Sequence, residues 1–320
     1  MDQIDKLGEL HQRCINRRSF LTGIAAAGAA TALAGCADGT IIAPPTTSYG
    51  DTDILNFALN LEYLEAEFYL HAATGSGLAT ADAGTNPGTV TGGTQVTGLT
   101  TAQQNILNEI AYDEQEHVRF LRSALGSVAV SRPAIDITNS FNALASAAGI
   151  GSSFNPYASF NNFLVGAFIF EDVGVTAYNG AGPLISTAGI AAGYLAAAAG
   201  IMAVEAYHAA YVRTALTGGA ITLGTIAFPY LTYANQVSTL RATLGGGNET
   251  TLTVPSGTTS ATSIVTPSGI VASTSGNAIA YSRTTDQVLH IVYGTGNGAG
   301  VKSGGFFPSG LNGNISVTQS

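Results

Sequence analysis

The chain has 320 residues, a formal net charge of −9, and only 10% charged residues against 46% hydrophobic ones. A chain this long and this apolar can bury a large core, which excludes general disorder. Lys and Arg do not cluster beyond the extreme N-terminus, which excludes phosphate neutralisation on a nucleic acid.

The first 35 residues read as an export signal. Asn16-Arg17-Arg18-Ser19-Phe20-Leu21 precedes a Gly/Ala-rich apolar run from Thr22 to Leu33. This run is too short to span a bilayer and ends in small residues suited to cleavage. Paired arginines followed by Phe-Leu mark the twin-arginine type, so the export machinery is an expected partner. The expected location is the periplasm or cell envelope. Leu33-Ala34-Gly35-Cys36 has the form of a lipobox, in which Cys36 would be lipidated. Ala32-Leu33-Ala34 fits ordinary cleavage after Ala34 equally well, and both outcomes stay open. An acyl chain on Cys36 would tether the protein to a membrane surface without spanning it. The chain has two cysteines, Cys14 and Cys36, and Cys14 lies in the removed segment. No internal disulfide is therefore expected despite an oxidising compartment. Residues 36–50 form a Pro/Thr-rich linker, and no later segment reads as long and apolar enough to cross a membrane.

Residues 51–217 read as a mainly α-helical four-helix bundle. The first helix runs from about Asp53 to His71, with Asp51 or Asp53 as N-cap, and is apolar almost all round. The second runs from about Thr101 to Leu125, with Thr101 and Gln104 spaced as a capping box and Gly126 as its stop. Its inward stripe is Leu107, Ile110, Ala111, Glu114, His117, Val118 and Leu121. The third covers about Ala158 to Tyr178. The fourth covers about Gly189 to Leu216, with Ile201, Glu205, His208 and Val212 on one stripe. Residues 127–157, with a short helix near Phe141–Ala147, make a long crossover between the second and third helices, a known bundle connectivity.

Residues 218–320 change character. They are rich in Thr, Ser and Gly, with Glu249 and Asp286 as the only acidic side chains. Thr250–Val254 and Thr262–Thr266 read as short strands, Thr285–Tyr293 as a short helix stopped by Gly294. Phe306 and Phe307 are placed to dock this extension on the bundle.

The bundle repeats internally. Glu62, with Tyr69 seven positions on, precedes Glu114-Gln115-Glu116-His117; Glu171, with Tyr178 seven positions on, precedes Glu205-Ala206-Tyr207-His208. Glu and His at i and i+3 share a helix face and can converge on one ion. One Glu from each of two helices and a Glu-x-x-His from each of the other two make the di-iron or di-manganese carboxylate arrangement. A single Glu-x-x-His is most often a solvated pair, but here both lie in apolar stripes, where an unpaired carboxylate is unfavourable. Glu62, Glu114, His117, Glu171, Glu205 and His208 are thus the expected ligands of two metal ions. Glu65, one turn on, is a rival to Glu62. Tyr69 and Tyr178 read either as hydrogen-bond donors to the ligand carboxylates or as core aromatics. Glu67 points elsewhere, His71 reads as a cap or surface group, and His290 as structural. Arg119, Arg122 and Arg213 read as helix-surface or helix C-terminal charges.

Leu55–Tyr69, Asp113–Leu121, Phe168–Gly180 and Ile201–Leu216 resemble the ferritin-like superfamily. With Tyr281–Tyr293 and Gly304–Ile315, the chain is similar to the branch of plant and bacterial desiccation-related proteins. The resemblance implies a di-metal bundle with the six ligands named above. It does not choose among iron storage, peroxide reduction, peroxide disproportionation and substrate oxygenation.

Two functions follow as expectations. The first is redox chemistry on peroxide or oxygen in envelope stress protection, with metal loaded before twin-arginine export. The alternative is a non-enzymatic desiccation- or stress-related protein whose metal staples the fold. A closed storage cage fits less well, because the extension and a lipid anchor would obstruct its assembly. Carboxylate and imidazole ligands suit Fe and Mn alike.

Overall fold

The computed structural model describes residues 49–224, 226–254, 269–296 and 298–320. The export signal, Cys36, most of the linker and the segment Thr262–Thr266 lie outside the described residues. Seven helices organise the rest: α1 Asp51–Thr74, α2 Thr101–Leu125, α3 Asn139–Ala148, α4 Phe160–Ala181, α5 Tyr194–Leu223, α6 Tyr230–Gly245 and α7 Thr285–Tyr293. Short helical turns at Thr80–Ala83 and Thr187–Ala191 lie between them. α1 packs along α2 and α4 along α5, and these two hairpins form the bundle. The long crossover from α2 to α4 carries α3. Two short strands, β1 Val90–Thr91 and β2 Ile135–Asp136, pair in parallel and tie that crossover to the α1–α2 connection.

Helix ends show what local chemistry decides. α2 is capped one residue earlier than its sequence suggested, at Thr100. The Thr100 hydroxyl accepts the Gln103 N–H at 3.3 Å, and the Gln103 side chain accepts the Thr100 N–H at 2.9 Å. That reciprocal pair satisfies two end donors at once, which Thr101 and Gln104 do not. The N-cap of α1 is Gly50, not Asp51 or Asp53 as expected, and the Gly50 N–H donates to Asp53 at 3.0 Å. Asp51 instead accepts from the Ser186 N–H and hydroxyl at 2.7 and 2.6 Å, pinning the α4–α5 connection to the start of α1. The fourth bundle helix does not run on from Gly189. Gly193 adopts φ 91°, in the left-handed region, so Thr187–Ala191 remains a separate turn and α5 begins at Tyr194.

α1 is buried almost all round because three neighbours cover it: α2, α4 and the C-terminal extension. Asn60 and Asn312 exchange hydrogen bonds at 2.8 and 3.0 Å. Phe306 and Phe307 are buried as expected, and the Phe306 ring centroid lies 5.2 Å from Phe141 and 5.0 Å from Phe170.

The extension, together with the α5 arginine it covers, departs from its sequence reading in three ways. It contains α6, which packs on α3 and α4 and was not expected from its composition. Thr250–Val254 is not a strand: the Asn235 side chain takes both the N–H and the C=O of Leu252, at 2.8 and 2.9 Å, where a neighbouring strand would bond. Arg213 is not a surface charge but is fully buried, donating to Asp172 at 2.6 Å and to the carbonyls of Gly269 and Thr250. Arg241 of α6 reaches Asp172 at 3.1 Å and Glu249 at 2.8 Å, and Arg283 reaches Glu249 at 2.6 Å. These three arginines and two carboxylates join α4, α5, α6 and the segment before α7.

Contrary to expectation, α5 is long and apolar enough to cross a membrane by length and composition. Its inner face carries Glu205, His208 and Arg213, all buried in the protein.

Candidate metal centre

The bundle brings the six expected ligands to one level. Glu62 comes from α1, Glu114 and His117 from α2, Glu171 from α4, and Glu205 and His208 from α5. The four carboxylates are at most 1% exposed, and the two imidazoles 7–8%. One group that could hold an ion is Glu62, Glu114, His117 and Glu205; the other is Glu114, Glu171 and His208. Glu114 belongs to both. Each imidazole turns Nδ1 inward. His117 Nδ1 lies 3.2 Å from Glu62, 3.3 Å from Glu114 and 3.6 Å from Glu205. His208 Nδ1 lies 3.0 Å from Glu114 and 3.6 Å from Glu171.

Glu65, the rival to Glu62, is buried beside this cluster but belongs to neither group. Glu67 is engaged elsewhere, with Arg132. His71 bonds its own helix, and His290 bonds the carbonyl of Ser320 at 3.0 Å. Arg119 is an exposed partner of Asp82 and Glu116, whereas Arg122 donates to the Tyr63 hydroxyl at 2.6 Å.

The two tyrosines bond across the pseudo-repeat rather than within it. Tyr178 of α4 donates to Glu62 of α1 at 2.5 Å, and Tyr69 of α1 donates to Glu171 of α4. Each hydroxyl holds one oxygen of a lone Glu. Sequence reasoning missed two further residues. Asp113 lies 3.2 Å from His208 Nε2, the ring nitrogen facing away from the cluster. Gly174, one turn after Glu171, leaves room for Glu205: a Cβ there would sit 2.3 Å from Glu205 Oε2. The i+3 spacing of Gly174 from Glu171 was the available signal.

Electrostatics shows how poorly this many acids fit together. Burial, followed by repulsion from Glu114 and neighbouring carboxylates, pushes Glu205 and Glu65 well above the usual carboxylate range. Burial also raises Glu62, and it raises Glu171 to about 8. For Glu114 burial works upward too, but hydrogen bonds from His117 and His208 prevail and bring it down to about 2. Burial would lower both imidazoles; the surrounding carboxylates, Glu62 foremost for His117 and Glu171 foremost for His208, instead raise them to about 11 and about 10.

Three buried carboxylate oxygens here have no hydrogen-bond partner, Glu171 Oε2 and both oxygens of Glu205, and Glu114 Oε1 meets only His208 Nδ1, at 3.0 Å. A buried polar atom without a partner is strongly disfavoured. All of them belong to the candidate ligands, whose oxygen and imidazole chemistry fits divalent Fe or Mn. The residues present therefore fit a metal centre.

A family model described as a ferritin-like domain matches residues 50–218, and one described as a twin-arginine translocation pathway signal sequence matches residues 14–34. The chain is 31% identical over 276 residues to "Ferritin-like catalase Nec2" of Nesocodon mauritianus, spanning 83% of this chain and 84% of that protein. It is also 31% identical over 205 residues to "Desiccation-related protein PCC13-62" of Craterostigma plantagineum, spanning 61% and 62%. With its helical bundle, long crossover and buried carboxylate–imidazole cluster, this chain belongs to the ferritin-like family.

Proposed function

We propose that this protein is an exported di-metal carboxylate enzyme, holding iron or manganese, that consumes peroxide or oxygen in the periplasm or cell envelope. The observation that carries this reading is Glu205, a fully buried carboxylate neither of whose oxygens takes a hydrogen bond, among five other metal-type donors. Glu62 and His117 would serve one ion and Glu171 and His208 the other, with Glu114 and Glu205 between them. A pair of such ions, when bound, supplies Lewis acidity and the two electrons that O–O bond chemistry exchanges.

The chain's own residues hold that chemistry in place. Tyr178 and Tyr69 each fix one oxygen of a terminal carboxylate, leaving the other aimed inward. Asp113 holds the outer nitrogen of His208, which orients the ring. The apolar stripes of α1 and α4 keep bulk water from the cluster, so peroxide meets the donors in a site of low polarity. The relative named a catalase favours peroxide as the substrate. The twin-arginine signal supports loading in the cytoplasm before export, and lipidation at Cys36 would keep the loaded protein at the membrane surface.

The test is metal content per chain on protein recovered from its native compartment, together with peroxide and oxygen consumption. Two ions per chain with turnover of either substrate is the expected result. Stoichiometric metal without turnover would defeat the enzymatic reading in favour of a metal that staples the fold. That second reading is favoured by the relative named for desiccation and by the buried arginine network that locks the extension down. It requires Glu114→Ala and His208→Ala to lower thermal stability while leaving stress tolerance intact.

A further inference from the structure

A small cavity lies where α1, α4 and the C-terminal extension meet, against the ligand cluster. Leu61 and Leu64 of α1, Phe170 and Val173 of α4, and Ile291 and Phe306 of the extension form much of its wall. A water-sized molecule can centre within about 20 Å³ there, enough for one such molecule. Glu65 is the only polar side chain on the wall.

Glu65 has no structural assignment. It is 5% exposed, belongs to neither ligand group, and makes no hydrogen bond or ion pair to another described residue. Glu67, on the same helix, shows what a structural carboxylate looks like here: it takes Arg132 and the Leu78 N–H. A buried carboxyl with no partner would be replaced at no loss by Leu if packing were its whole purpose. Gly174 lies at the inner end of the cavity. The position of its missing Cβ is 3.4 Å from Glu65 Oε1 and 2.3 Å from Glu205 Oε2, so the cavity wall and the ligand cluster meet there.

We propose that this cavity holds a small neutral hydrogen-bonding molecule of the size of hydrogen peroxide next to the ligand cluster, with the Glu65 carboxyl as its polar contact. Naming peroxide rests on the redox reading above; the pocket and its contact do not. The apolar wall disfavours ions, and one carboxyl is enough to orient a molecule that both donates and accepts. This also assigns a purpose to the extension, whose Ile291 and Phe306 set the outer size of the pocket. Glu65 would be a substrate-contacting residue, and Ile291 a residue that limits size.

Two probes separate space from contact. In crystals of the metal-free protein, pressurised xenon should occupy the cavity in wild type and in Glu65→Leu, and be absent in Ile291→Phe. Methanol should place its hydroxyl on Glu65 in wild type and be absent in Glu65→Leu. In metal-loaded protein, both variants should keep wild-type metal content. For Glu65→Leu, KM for hydrogen peroxide should rise about fivefold, as for a lost hydrogen bond to a neutral group, with kcat changed less. Failure of xenon or methanol to bind the wild type would overturn the proposal. So would loss of metal in Glu65→Leu, which would make Glu65 a ligand. A wild type that binds both probes yet leaves peroxide untouched would remove the redox reading and keep the pocket.

Discussion

Two clusters of buried charge lie within this one chain, and they are finished in opposite ways. In the first, Arg213, Arg241 and Arg283 meet Asp172 and Glu249, and backbone carbonyls and the Thr176 hydroxyl take the remaining donors except Arg241 Nε. Guanidinium cannot shed its charge, so the fold must supply every partner itself. In the second, four buried glutamates meet two histidines, and three carboxylate oxygens, on Glu171 and Glu205, have no hydrogen-bond partner. Asp172 and Glu171 are adjacent residues of α4, one serving each cluster. The difference teaches how to tell a structural charge from a candidate ligand: the structural cluster is closed by protein atoms save at Arg241 Nε, whereas the carboxylate–imidazole cluster keeps oxygens open, as the proposed metal centre requires.

Substitutions should therefore act with opposite sign in the two clusters. Glu249→Ala leaves buried Arg283 with no carboxylate and Arg241 with Asp172 alone, and should destabilise the protein by about 3–5 kcal/mol, read by urea or thermal unfolding. Glu205→Gln removes a carboxylate that the metal-free protein gains nothing from burying. The metal-free melting temperature should not fall, while metal affinity should drop by at least about a hundredfold, beyond the range seen for outer-shell partners. A fall in metal-free stability as large as that for Glu249→Ala would erase the distinction.

The pH dependence sharpens the same contrast. In metal-free protein burial raises Glu171 to about 8 from an ordinary 4.5, so the native state retains a proton the unfolded state has lost. His117 and His208, raised to about 11 and about 10 from 6.5, also hold protons longer in the native state. The native state thus binds more protons than the unfolded one over this range, and stability declines as pH rises. Glu114, lowered to about 2, acts oppositely, but only as pH falls from about 4.5 towards 2. The melting temperature of metal-free protein should fall between about pH 5 and pH 9. That of the loaded protein should not, because bound cations keep the carboxylates ionised and displace the imidazole protons. Scanning calorimetry on both forms checks this; parallel curves would count against it.

The ligand cluster was far more legible than the arginine network, for a physical reason. Ligands on a helix obey a spacing rule, so Glu114–His117 and Glu205–His208 announce their shared face, and apolar flanks announce its burial. Partners such as Arg241 and Asp172, or Arg283 and Glu249, come from unrelated segments that no local period relates, so Arg213 reads as a surface charge until the fold is known. α6 was hidden by composition, although its buried Leu231, Ala234, Val237 and Arg241 keep helical spacing. The cap at Thr100 and the break at Gly193 turn on single backbone choices that periodicity resolves only to within a few residues. The crossed tyrosines needed the two hairpins to be placed face to face before Tyr69 could be matched with Glu171 rather than with Glu62.

The smallest expected effect concerns an asymmetry within the ligand cluster itself. The pseudo-repeat matches Glu114 with Glu205 and His117 with His208, which places Val204 opposite Asp113. Only His208 therefore has a carboxylate on its outer nitrogen, at 3.2 Å; His117 has none among the described residues. An outer carboxylate fixes ring orientation and raises the basicity of the inner nitrogen. The ion served by Glu171 and His208 should accordingly be held more tightly than the one served by Glu62 and His117. Asp113→Asn should weaken that ion about tenfold, the lower end of the range for outer partners. The other ion should change little, so a chelator titration resolving two steps in wild type should show them converge in the variant. Equal weakening of both steps would mean that Asp113 acts through overall charge rather than through the His208 ring.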